Sequence, residues 1–160
     1  MPGTSALVRA AATSMPPITT EVAVTLPVSA ADAFEIFADA GETPRWLRVV
    51  QSAQVIDRHE DGRPRTVSFR AAFDRATLGY VVRYRYRPEA LTLTWATRGG
   101  SAIRVEGEAR FVGLTPRACL MTYRLGLELP VSPEWLETHY DGHAASAIVG
   151  DFREHLRRFA

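Results

Sequence analysis

Leu26-Pro27-Val28-Ser29-Ala30-Ala31-Asp32-Ala33-Phe34 is the junction where one periodicity stops and another starts. Upstream of it, Thr20 to Val28 alternates, with Val22, Val24, Leu26 and Val28 sharing one face, which is the period of a half-buried strand. Pro27 has no amide hydrogen to donate and ends the pairing of that strand. Downstream, Ser29 is placed as an N-cap. Asp32 follows three residues later as a shorter form of the capping-box glutamate, ahead of Phe34, Ile36 and Phe37. A short helix is therefore predicted. Ala40-Gly41 breaks it, and Glu42-Thr43-Pro44-Arg45-Trp46-Leu47 reads as a second, single-turn helix with proline near its first turn.

From Val49 to Leu129 the text changes to strands separated by turn chemistry: Glu60-Asp61-Gly62, Arg75 to Gly79, Pro88-Glu89, Gly99-Gly100 and Thr115-Pro116. Such spacing predicts successive antiparallel hairpins, six strands here and seven in all. From Ser132 the pattern turns helical, with Ser132 as N-cap, Pro133 at the first helical position, and Glu134 and Glu137 near the positive end of the dipole. This helix is predicted to run to the C-terminus, about 28 residues or roughly 42 Å. Its apolar face passes through Leu136, Tyr140, Ala144, Ala147, Ile148, Phe152 and Phe159. Gly142 and Gly150 lower its propensity and suggest a bend or close packing on the sheet.

The predicted class is α+β, order βααββββββα. This layout resembles the START-related helix-grip superfamily (SRPBCC), in particular its bacterial polyketide cyclase/dehydrase branch. The resemblance is carried by Leu26 to Phe34, by Pro44-Arg45-Trp46-Leu47, and by Val55-Ile56-Asp57 leading to Asp61-Gly62, and it covers residues 18–160. It implies a helix-grip fold, a seven-stranded curved antiparallel sheet around a long C-terminal helix, with an apolar cavity between them. Residues 1–17 are read as a disordered leader: the apolar run is short and Arg9 interrupts it.

In such a fold the apolar face of each strand points inward. That face is Val67, Phe69, Ala71 and Phe73 on one strand, and Tyr80, Val82, Tyr84 and Tyr86 on the next, because Arg83 and Arg85 prefer water. Leu91, Leu93 and Trp95 follow, then Ile103, Val105, Gly107, Ala109 and Phe111, then Met121, Tyr123, Leu125 and Leu127. Small residues at Gly107 and Ala109 leave volume between sheet and helix; in the competing reading Gly107 marks a bend and aromatics fill the gap. The expected ligand-binding wall is Phe69, Phe73, Tyr80, Tyr84, Trp95, Val105, Gly107, Phe111, Met121 and Tyr123 from the sheet, with Tyr140, Ala144 and Ile148 from the helix.

Buried tyrosine hydroxyls seek partners, so an apolar cavity holding several suits an isoprenoid, acyl or polyketide-like ligand with a few oxygens. Tyr84 and Tyr123 are candidate proton donors. His143 and Asp151, two turns apart, form either an acid/base pair or a helix-face salt bridge. The resemblance implies that Arg45 lies at the pocket mouth, able to meet a planar oxyanion or simply exposed, and Trp46 is read as an anchor for the short helix. His139 and His143 share a helix face with Asp141 between them, but no third ligand follows from spacing, and no metal or cofactor is expected.

Composition narrows the functions further. Nineteen basic and eighteen acidic residues are mixed along the chain, net charge +1, which gives no footprint for nucleic acid. Every basic residue is arginine, a bias expected of a GC-rich bacterium, and the absence of lysine excludes Schiff-base chemistry. The single cysteine, Cys119, excludes an internal disulfide and fits a cytoplasmic protein. No apolar run is long enough to span a bilayer. The expected function is binding or carrying a hydrophobic small molecule; the alternative is an aromatase/cyclase acting on a poly-ketone by shape and acid/base assistance.

Overall fold

The computed structural model describes residues 18–73, 76–98, 103–128 and 144–160. Its elements are β1 (Ile18–Leu26), α1 (Ala30–Ala38), a 3-10 turn (Ala40–Arg45), β2 (Val50–Arg58), β3 (Pro64–Phe73), β4 (Ala76–Arg87), β5 (Thr92–Thr97), β6 (Arg104–Thr115), β7 (Ala118–Glu128) and α2 (Ala144–Leu156). The strands form one seven-stranded antiparallel sheet in the order β1-β7-β6-β5-β4-β3-β2. The chain leaves β1 at one edge, crosses through α1 and the 3-10 turn to β2 at the other, and returns by hairpins until β7 pairs with β1, Val22 opposite Tyr123. This is the predicted helix-grip arrangement.

Local chemistry explains the crossing. The Ser29 hydroxyl accepts from the Asp32 amide at 3.1 Å, and the Ser29 carbonyl accepts from Ala33 at 2.9 Å, so α1 starts at the predicted cap. Its inner face, Ala30, Ala33, Phe34, Phe37 and Ala38, is buried over β6 and β7. Between β2 and β3 the chain reverses at Gly62, whose φ of +90° only glycine adopts without strain, while the His59 amide donates to Arg63 at 2.8 Å.

Several boundaries differ from the sequence reading. The turn expected from Arg75 to Gly79 is shorter, because Ala76 to Gly79 already pair with β3, Gly79 opposite Arg70. Leu91, expected to start a strand, instead follows a 3-10 turn at Pro88–Ala90 in the left-handed region, φ +46°, and pairing resumes at Thr92. The C-terminal helix differs most. Among the described residues it covers Ala144–Leu156 and tightens into a 3-10 turn at Arg157–Phe159. Its expected start at Ser132 and Pro133, with Gly142, lies outside the described residues.

The buried stripe of α2 is Ala145, Val149, Phe152 and Leu156, with Ala144 beside it, rather than the line through Ala147 and Phe159. Phe159 is 58% exposed because a turn of three residues rotates it off a face set by 3.6. Gly150 faces open space, so the expected close packing against the sheet does not occur there. α2 lies over β1 and β7. Phe152, fully buried, stacks edge-on to Phe37 and ties the helix to α1.

Candidate functional site

An aromatic cluster closes one end of the interior. Phe37 of α1 lies 5.7 Å from Trp46, 5.5 Å from Trp95 and 5.2 Å from Phe152, ring centre to ring centre, which joins α1, the loop after the 3-10 turn, β5 and α2. Beside it a cavity of about 130 Å³ remains between sheet and α2. Its walls are Phe69, Tyr80, Val82, Tyr84, Trp95, Val105, Tyr123, Leu125 and Leu127 from the sheet; Phe37, Thr43, Trp46, Leu47, Val49 and Val50 from α1, the turn and β2; and Ala144, Ala147, Ile148 and Asp151 from α2.

Of the wall expected from sequence, Phe69, Tyr80, Tyr84, Trp95, Val105, Tyr123, Ala144 and Ile148 are thus brought together. Gly107 is not. A Cβ built on it would fall 2.1 Å from the Trp95 ring, its partner across β5 and β6, so the indole occupies the room that the glycine leaves. Phe111 and Met121 are packed solid instead: Phe111 meets Phe34 at 6.3 Å, and Met121 is fully buried. The Phe73 side chain, Tyr140, His139, Asp141 and His143 lie outside the described residues. Arg45 is absent from the cavity wall; it pairs with Glu42 at 2.7 Å, one helical turn back, and lines a surface groove with Arg48, Glu154 and Arg158.

Sequence patterning missed the contribution of the crossing segment. It marks Trp46 as an anchor and gives Leu47 and Val49 no inward role, yet all three form one wall of the cavity. Their inward position follows from the 3-10 turn being laid across β2 and β3, which no local pattern announces. A larger hollow, about 470 Å³, is on the opposite face of the sheet, lined by Arg83, Arg85, Arg98, Arg124 and threonines, so size alone does not mark the apolar site.

The polar groups of the cavity are mostly donors. Tyr86, on the same strand but not on the cavity wall, gives its hydroxyl to the Pro64 carbonyl at 2.7 Å. Tyr84 and Tyr123 are buried in the cavity wall, and the Trp46 indole N–H is buried there without a hydrogen-bond partner among the described residues. Burial pushes the Tyr80 phenol up to about 12 and raises the Tyr84 and Tyr123 phenols well above the ordinary phenol value, the neighbouring phenols adding to the effect on Tyr84. All three stay neutral near pH 7, so they can donate a hydrogen bond or proton but do not serve as bases. Asp151 accepts from the Arg48 amide at 3.2 Å and pairs with its guanidinium at 3.5 Å. Among the described residues no group of three or more histidines, cysteines or carboxylates is gathered to hold a metal.

A curved antiparallel sheet gripping a C-terminal helix, with an apolar cavity lined by tyrosines, defines a START-like helix-grip protein. Within that class the chain belongs to the family described as polyketide cyclase / dehydrase and lipid transport, whose pattern matches residues 17–160. No curated protein matches the sequence. Among solved structures it is similar to a START superfamily protein from Mycobacterium smegmatis, at 18% identity and a TM-score of 0.77, covering 89% of this chain and 99% of that one. It is also similar to the Zhui aromatase/cyclase of a Streptomyces strain, at 12% identity and a TM-score of 0.73, covering 88% and 93%. A Thermus thermophilus protein matches at 13% identity and a TM-score of 0.74, covering 89% and 99%. At these identities the likeness establishes the fold.

Proposed function

We propose that this protein binds or carries a hydrophobic small molecule in the cavity between sheet and α2. The observation that carries the reading is the unfilled apolar volume itself. Its walls are almost wholly apolar, with Asp151 the one charged residue among the described lining residues, and a concave apolar space with a few polar groups is what a small-molecule site requires.

A second reading, an aromatase/cyclase acting on a poly-ketone, is favoured by the neutral phenols of Tyr84 and Tyr123. Such groups hydrogen-bond a carbonyl and stabilise charge on its oxygen as it enolises, without a covalent nucleophile. On this reading Tyr84→Phe or Tyr123→Phe lowers turnover by a larger factor than it lowers substrate affinity.

Native mass spectrometry of freshly purified protein, followed by extraction and identification of bound molecules, tests the binding reading. A co-purifying apolar molecule released by Val105→Phe supports it. An unchanged mass together with no uptake of a fluorescent apolar probe argues against it.

A further inference from the structure

We infer that the cavity selects a small, neutral ligand built on one ring and bearing a carbonyl oxygen, and that Asp151 excludes its anionic counterparts. This rests on the binding reading above and narrows it by size, polarity and charge.

Size comes first. An engineered cavity of about 150 Å³ in another protein takes up benzene. The volume here, about 130 Å³, therefore accepts a single six-membered ring with a short substituent, whereas a fused polycycle or a long acyl chain exceeds it.

Polarity sets what the ring carries. Tyr84 and Tyr123 are more than nine-tenths buried and line the cavity. Trp46 lines it too, and its buried N–H has no hydrogen-bond partner among the described residues. Buried donors without partners are uncommon and call for an acceptor supplied from elsewhere. A carbonyl oxygen, with two lone pairs, can accept from that N–H and from a phenol hydroxyl of the same wall.

Charge decides between a ketone and a carboxylate. Asp151 is the one charged residue among the described cavity-lining residues. Its side chain is 19% exposed, whereas that of its partner Arg48 is 84% exposed and screened by water. Arg45, the cation that would have received an oxyanion, is turned toward Glu42. An anionic ligand thus meets like charge at Asp151, while the Arg48 guanidinium paired with that carboxylate is not on the described cavity wall.

The test measures calorimetric affinities of the full chain at pH 7 for acetophenone, ethylbenzene, benzoate and 2-undecanone. Acetophenone is expected to bind about tenfold tighter than ethylbenzene, the step that hydrogen bonding of one buried carbonyl supplies. Benzoate and 2-undecanone are expected to be at least tenfold weaker than acetophenone. Tyr84→Phe and Tyr123→Phe should bring acetophenone down toward ethylbenzene while leaving ethylbenzene unchanged, which also reports that the cavity is intact. Asp151→Asn should raise benzoate affinity severalfold. Tightest binding by 2-undecanone or benzoate, or tyrosine variants that weaken ethylbenzene equally, overturns the inference and leaves the binding reading standing. Failure of all four ligands, with an apolar fluorescent probe still taken up, does the same. Failure of the probe as well removes both.

Discussion

Gly107 shows how one missing side chain organises this interior. The Trp95 indole lies across it, and the indole in turn touches Phe37 at 5.5 Å, Tyr84 at 6.1 Å and Tyr123 at 5.6 Å. Gly107→Ala would force a methyl into that ring, so the indole must move into its neighbours. The expected loss is about 1–3 kcal/mol, the usual penalty for overpacking, read as a lower urea midpoint with unchanged slope. Gly107→Ala should also shift tryptophan fluorescence, because Trp95 leaves its site. The sequence could mark Gly107 as an inward gap, and it could supply the aromatics, but it could not say which aromatic fills which gap. That depends on the cross-strand register placing Trp95 opposite Gly107.

Elements here are held by ends and clasps as much as by faces. The Ser29 cap is open to a clean test: Ser29→Ala removes the acceptor for the Asp32 amide and should cost about 1 kcal/mol, or a few degrees in Tm, by thermal unfolding. In α2, Gly150 sits in a helix interior, and a methyl placed on it would meet nothing within 4 Å. Gly150→Ala should therefore stabilise the protein by about 0.5–1 kcal/mol in the same assay. The β2–β3 hairpin is clasped to α1 by Arg63, which bonds Glu35 and Asp61 and stacks between Phe34 and Tyr86 at 5.4 and 5.9 Å. Cap and hairpin were legible because each depends on neighbours in sequence. The clasp was not, since Glu35 and Arg63 meet only after β2 has crossed to the far edge of the sheet.

For the molecule as a whole, the buried phenols predict a sharp alkaline limit. Tyr80, Tyr84, Tyr86 and Tyr123 are all raised above the ordinary phenol value of 10, mainly by burial. Their folded forms keep protons that the unfolded chain releases, so stability is intact below pH 10 and falls as pH rises from there, with Tyr80 releasing at about 12. Tyrosinate absorbance at 295 nm should stay suppressed for these residues past pH 10, then rise together with loss of circular dichroism. Gradual ionisation with the fold intact would contradict their burial. At the acid end, hydrogen bonds from Arg65 hold Asp57 down to about 2, and the Arg63 amide and guanidinium lower Asp61. Their support is present above about pH 4 and is lost as pH falls toward 2. Asp57→Asn should flatten that acid limb of the stability curve.

Interactions a few residues apart suffice for the strand period, the Ser29 cap and the hairpin turns, so the α+β order of elements could be read from the chain, and the helix-grip fold followed from the family resemblance. The same local alternation tells which strand faces are apolar, and so that Tyr84 and Tyr123 turn inward. Four outcomes needed the folded molecule: how much of the interior stays empty, which indole covers Gly107, that Arg45 turns away to Glu42, and that the segment from Trp46 to Val49 forms a wall. Those are set by packing between elements far apart in the chain, where a difference of one side-chain volume decides between a cavity and a solid core.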